Sequence, residues 1–147
     1  MNTSTRTVVI NQPSLFPWFG EFQKLQLSDV SICLDHVAFQ KAGFLCRARI
    51  HPVGELPRWL TVPSSAHTRS GAINDVVLLP TEQWLPTVLR RLSHAYRRAT
   101  YGQHALRLMV EAASDHPTLA VDLAERSLEV LASYLGFTLP TRVRSSS

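Results

Sequence analysis

Lysine is almost missing from this chain. Lys24 and Lys41 are the only two in 147 residues, and arginine carries the formal charge of +4. With no lysine run and no basic tail, nothing marks a polyanion-coating role, and nucleic acid is not an expected partner; the modest excess still favours a small anionic ligand. Cysteine is as scarce. Cys33 and Cys46 lack CxxC spacing. Cys33, in an apolar run, reads as a small core residue, while Cys46 beside Arg47 reads either as core or as a more reactive thiol. No apolar run approaches the ~20 residues of a membrane span, and Met1–Arg6 has no hydrophobic signal core, so a cytoplasmic, reduced protein is expected. The six histidines, at 36, 51, 67, 94, 104 and 116, form no HxH or HExxH and no Cys/His pair at ligand spacing. No metal site is expected, and the cofactor stays unknown. Phosphate-loop, dinucleotide and nucleophile-elbow signatures are missing, as is any internal repeat.

What is present is a globular composition, 45% hydrophobic and 18% charged, of a size for one domain over 1–147. Val8-Val9-Ile10 and Val30–Leu34 are short, apolar and β-branched, and read as buried strands. Between them, Pro13 and Pro17 forbid regular structure, and Gly20–Leu27 has helical spacing. The unit is β–loop–α–β, which builds parallel sheets and presents ligands at strand carboxyl ends. Leu15, Phe16 and Trp18 in the loop form either a pocket wall or a hydrophobic plug. Arg58–Val62 and Ile73–Leu79 read as further strands, with Ser64–Ala72, holding His67 and Arg69, as a mobile loop. From Pro80 on the chain reads helical. Thr81 is the expected N-cap of a first helix with Pro86 in its opening turn. Gln103–Ala113 is the second helix. The third begins at Pro117 and runs along Val121, Ala124, Leu128, Leu131 and Leu135 to a stop at Gly136. The fold expected is Rossmann-like α/β: a mostly parallel sheet from the N-terminal half (1–79, with the site) and a helical C-terminal half (80–147).

The candidate site follows from that placement. Gln12 and Ser14 lie past the first strand, and Asp35 and His36 past the second, where ionisable neighbours suit acid–base work. Lys41, Arg47 and Arg49 supply cations nearby. Arg47 and Arg49 share one face of a strand and repel unless an anion or carboxylate lies between them. They suit a phosphate or carboxylate fork; the plainer reading is an exposed face with a salt bridge to Asp35 or Glu55. Arg90, Arg91, Arg97 and Arg98 read mainly as helix-end cations, since no recognition helix or aromatic stacking phrase accompanies them.

These phrases resemble the WbqC-like family. The similarity lies in Ile10-Asn11-Gln12-Pro13-Ser14-Leu15-Phe16-Pro17-Trp18-Phe19-Gly20, against a family pattern of the type QPxYLPWxGYF. It continues in Ser28-Asp29-Val30, Leu34-Asp35-His36-Val37, Phe39-Gln40-Lys41 and the Arg47/Arg49/Ile50 segment. Trp59-Leu60-Thr61-Val62-Pro63, Ile73-Asn74-Asp75, Trp84 and Tyr96-Arg97-Arg98-Ala99 follow in order. Glu21, His36 and Cys46 depart from the usual tyrosine, aspartate and asparagine. The family continues beyond an Arg-Ser-Ser phrase, so a chain stopping at Arg144-Ser145-Ser146-Ser147 is expected to be truncated, with an unpaired sheet edge or an uncovered apolar face.

The resemblance implies a transferase or ligase acting on activated sugars or acyl groups in surface polysaccharide (O-antigen) or specialised-metabolite assembly. In that picture Asp35, His36 and Lys41 are catalytic. Gln12, Ser14, Trp18, Arg47 and Arg49 bind a substrate bearing phosphate or carboxylate, such as a nucleotide-sugar. The alternative is a non-catalytic or degenerate accessory module, alone, as a homo-oligomer or with a partner chain. The opening also resembles HxGH nucleotidyltransferases, but the histidines of that motif are missing.

Overall fold

A computed structural model of the chain describes residues 5–68 and 71–147. Arg69, expected in the mobile loop, lies outside the described residues, as do Met1–Ser4 of the N-terminal tail.

The opening unit is β1 (Val8–Asn11), α1 (Phe19–Gln26) and β2 (Val30–Cys33), with the two strands parallel and Val8 opposite Val30. Asp29 fixes the register: its Oδ2 accepts the Thr7 N–H at 2.8 Å, and its own N–H reaches the Thr7 carbonyl at 2.9 Å. The α1 helix buries Phe22 and Leu25, and Phe22 stacks on Phe137 with centroids 5.2 Å apart.

The proline loop between β1 and α1 is held by two long-range bonds. Leu15 N–H reaches the Phe44 carbonyl at 2.9 Å, and Phe16 N–H reaches Ser127 Oγ at 2.8 Å. Phe16 sits at φ 46°, a left-handed conformation that costs a side-chain-bearing residue about 1–2 kcal/mol. Leu15 is the buried plug, Phe16 packs against the core edge, and Trp18 is 73% exposed.

The sheet differs from the expected one. Its third strand is β5 (Thr141–Arg144), from the end of the chain, pairing parallel with β2 in the order β1-β2-β5. The strands β3 (Arg47–Ile50) and β4 (Arg58–Thr61) form a separate antiparallel hairpin. Ile73–Leu79 is not a strand. It opens as a 3-10 turn over Ile73–Asp75 and then makes only isolated bridges, because its donors are drawn to several different segments: Ile73 N–H to Val37 O, Asn74 N–H to Asp35 O and Leu78 N–H to Thr118 O.

Three helices follow: α2 (Thr81–Ala95), α3 (Gly102–Ala112) and α4 (Ala120–Leu135). Pro80, not Thr81, caps α2, and the buried Thr81 hydroxyl has no partner. Pro86 is therefore the sixth helical residue, past the opening turn. The α4 helix starts three residues after Pro117, and its buried line runs through Val121, Ala124, Ser127 and Val130 while Leu135 is 43% exposed. Gly136 closes α4 at φ 74°, as the sequence predicts. The core lies between the inner hairpin face (Ala48, Ile50, Leu60), the buried stripes of α2 to α4 and Leu15.

The sheet has an unusual polarity. One face carries Val9, Ser31, Cys33, Arg142 and Arg144 towards α1 and α4. On the opposite face Val8, Ile10 and Val143 are 48%, 57% and 46% exposed, and alternate residues Val30 and Ile32 lie beside them. The inward arginines meet a row of acids on α4: Arg142 pairs with Glu125 and Glu129 (3.1 Å), and Arg144 with Asp122 (2.6 Å) and Glu125 (3.1 Å).

Candidate functional site

The two opening strands end side by side, with Leu34 N–H donating to the Asn11 carbonyl at 2.8 Å. Just past β2 lies Asp35, a carboxylate with no solvent exposure. Its Oδ1 accepts the Ser145 hydroxyl and the Ser146 N–H, both at 3.0 Å, and its Oδ2 accepts the Ser146 hydroxyl at 2.6 Å. Burial alone would raise the pKa of this acid. The bonds from the Ser146 hydroxyl, the Ser145 hydroxyl and the Ser146 N–H outweigh it and hold the carboxyl below its usual 3.8.

Ser145 connects this acid to His36. Its Oγ lies 2.6 Å from His36 Nδ1 and accepts the Asp35 N–H at 3.1 Å. A hydroxyl has one hydrogen, and here it is donated to Asp35 Oδ1. The remaining contact therefore requires a proton on His36 Nδ1. In the neutral ring that leaves Nε2 as the basic nitrogen on an exposed side chain. Asp35, Ser145 and His36 thus form an acid–hydroxyl–imidazole chain at the strand tips. Ser145 and Ser146 escape a reading of the sequence because they stand 110 and 111 residues from Asp35. The one available signal is the Arg-Ser-Ser phrase itself.

Gln12 and Ser14 stand apart from that chain, lining a small cavity of about 30 Å³ with mixed polar and apolar walls between the inner sheet face, α1 and α4. Asn11, Ser31, Cys33, Glu125 and Arg142 also line it. Asn11 Nδ2 is buried without a partner, while its Oδ1 accepts the Lys24 ammonium at 2.8 Å. The volume is enough for an ordered water. Cys33 is inert as a nucleophile there: burial, then the charges of Glu125 and Asp35, push its thiol up to about 12.

Lys41 and Arg47 meet in a third place, a cleft of about 260 Å³ walled by Phe39, Thr61, Val62 and Pro63. No carboxylate lines it. Arg47 is held by its Nε on the Gly43 carbonyl at 2.9 Å and by a second nitrogen on the Ala42 carbonyl. Arg47 and Arg49 do share a face, and neither Asp35 nor Glu55 separates them. Trp59 does. The two guanidiniums lie 4.1 and 5.8 Å from the indole centroid, and cation–π attraction offsets their repulsion. Glu55 pairs instead with Arg58. Trp18 lines none of these three places; its ring folds over Gly20, where any Cβ would overlap it. Among the described residues no group of three or more His, Cys, Asp or Glu could hold a metal, and no helix is long and apolar enough to cross a membrane.

Fold and rim together define a small mixed α/β protein with a three-stranded parallel sheet and polar side chains gathered beyond its strand tips. The comparison with known families is specific. A family model described as WbqC-like protein family matches residues 12–147, and the chain belongs to that family. No curated protein and no solved structure matches it.

Proposed function

We propose that this WbqC-like protein is a group-transfer enzyme handling a small substrate with a phosphate or carboxylate group, in surface-polysaccharide or specialised-metabolite assembly. The observation that carries the reading is the Asp35–Ser145–His36 chain at the tips of parallel strands, the position where Rossmann-like sheets take their ligands. His36 Nε2 removes the proton from the attacking hydroxyl or amine as that atom bonds to the sugar or acyl carbon of the activated donor. The bond from that carbon to the donor's phosphate breaks, and the phosphate leaves as an anion. Asp35, saturated by serine donors, is a positioning residue: through Ser145 it holds the imidazole in one tautomer and orientation. Lys41 and Arg47 hold the anionic group and stabilise charge developing on the transferred unit, with Arg49 adding to the local field. Gln12 and Ser14 line a separate cavity with room for about one water, and the acceptor does not reach them there.

The test starts with a thermal-shift screen of the full chain against nucleotides, sugar nucleotides and acyl donors, followed by turnover of any ligand that stabilises it. His36→Gln should abolish turnover with little change in binding. Ser145→Ala should lower kcat with KM nearly unchanged. Lys41→Gln should raise KM for the anionic substrate. Binding without turnover, unchanged by His36→Gln, would instead identify a non-catalytic module, a reading favoured by the consumption of both Asp35 oxygens in internal bonds.

A further inference from the structure

Charge in this molecule is segregated. The acids Asp122, Glu125 and Glu129 on α4 are spent on Arg142, Arg144 and Arg126. Among the described residues, Arg90 and Arg91 on α2 have no carboxylate partner, and neither do Arg47 and Arg49 on the hairpin. Between the hairpin end and α2 runs a cleft of about 460 Å³, lined by Arg58, Trp59, Arg90, Arg91, His94 and two apolar residues. It lies within the range of roughly 300–1,000 Å³ usual for small-ligand sites.

Helix-end stabilisation does not account for this cluster. Arg90 and Arg91 stand a full turn or more before the end of α2 at Ala95, and a helix dipole acts on cations only within its last turn. Arg58 comes from a different element, and its partner Glu55 does not line the cleft. Two guanidiniums without a carboxylate partner, a third paired with Glu55 and the His94 imidazole beside Arg97 thus line one cavity with no acid in its wall. Trp59 adds a second chemistry. Arg47, Arg49 and Phe44 pack around its indole, but the residue remains 42% exposed and forms part of the cleft wall, which leaves an edge of the ring for a planar group.

We propose that this cleft is a second binding site, separate from the Lys41–Arg47 cleft, for a small organic phosphate carrying a planar ring, with the arginines on the phosphates and the ring against Trp59. Guanidinium forks suit phosphate oxygens, and the exposed indole suits the ring.

The experiment is titration calorimetry of the full chain with ADP, inorganic pyrophosphate and adenosine. ADP should bind most tightly. The double variant Arg90→Ala/Arg91→Ala, confined to exposed positions, should weaken ADP by about tenfold or more, as expected for lost charged hydrogen bonds. Trp59→Leu should weaken ADP while leaving pyrophosphate unchanged. Lys41→Gln should leave ADP binding intact, which separates this site from the proposed transfer site. The proposal is overturned if ADP does not bind at millimolar concentration, or if Arg98→Ala/Arg107→Ala, at exposed positions outside the cleft, costs as much as the Arg90/Arg91 pair. A single-stranded oligonucleotide binding more tightly than ADP with the same arginine dependence would also overturn it, in favour of nucleic acid.

Discussion

Removing the Asp35 carboxylate should loosen the last strand. In Asp35→Ala, one side-chain hydroxyl from each of Ser145 and Ser146 and the Ser146 N–H lose their acceptor. A hydrogen bond to a charged group contributes about 1.5–3 kcal/mol, and bonds to one carboxylate do not add fully. Both serines can recover water once released, which brings the expected loss to about 3 kcal/mol in urea unfolding at neutral pH. Asp35→Asn keeps an oxygen for the Ser145 hydroxyl and the Ser146 N–H, and should cost about 1–2 kcal/mol. The pH dependence provides an internal control. The folded-state pKa of Asp35 lies below its usual 3.8, so its contribution is fully present above that value. It is lost as pH falls through the lower folded-state value. The gap between wild type and Asp35→Asn should hold steady from neutral pH down to about 4 and close below it. An Asp35→Ala protein within 0.5 kcal/mol of wild type, or a gap that widens on acidification, would refute the account.

Two further outcomes test the packing. Ser127→Ala removes the acceptor of the Phe16 N–H, at a residue already in a left-handed conformation, and should cost about 1–2 kcal/mol by thermal or urea denaturation. A loss smaller than a few tenths would mean that the proline loop is held by Leu15 alone. Cys33, with its thiol pushed up to about 12, should resist alkylation at pH 8 in the native protein and react on unfolding, as read by peptide mapping.

Much of the opening unit is legible in the text of the chain. Val8–Ile10 and Val30–Leu34 are apolar and β-branched, and Pro13, Pro17 and Asp29 bound them, so local chemistry alone separates strand, loop and helix. The end of the chain defeats the same logic. In Thr141–Arg144 apolar and charged residues alternate, as in a solvated tail, yet both arginines point inward onto α4 acids 13 to 22 residues away. Ile73–Leu79 misleads in the opposite direction. Its apolar run suits a strand, but the carbonyls that take its donors come from distant segments. The site divides similarly. The placement of Asp35 and His36 past a strand can be read from the sequence, whereas their contacts with Ser145 and Ser146 depend on the closure of a parallel sheet. The indole between Arg47 and Arg49 requires the hairpin register that sets Trp59 opposite Arg49.

The strand order has a consequence for how the molecule assembles. The middle strand is made early in synthesis, but one of its two neighbours arrives only with residues 141–144. Closing so long a loop is entropically slow and comes after the local helix pairs have formed. Until then the free edge of the middle strand can template other chains, and the serine latch is the last bolt to slide home. Expression at low temperature, which slows such encounters, should raise the yield of folded protein over aggregate.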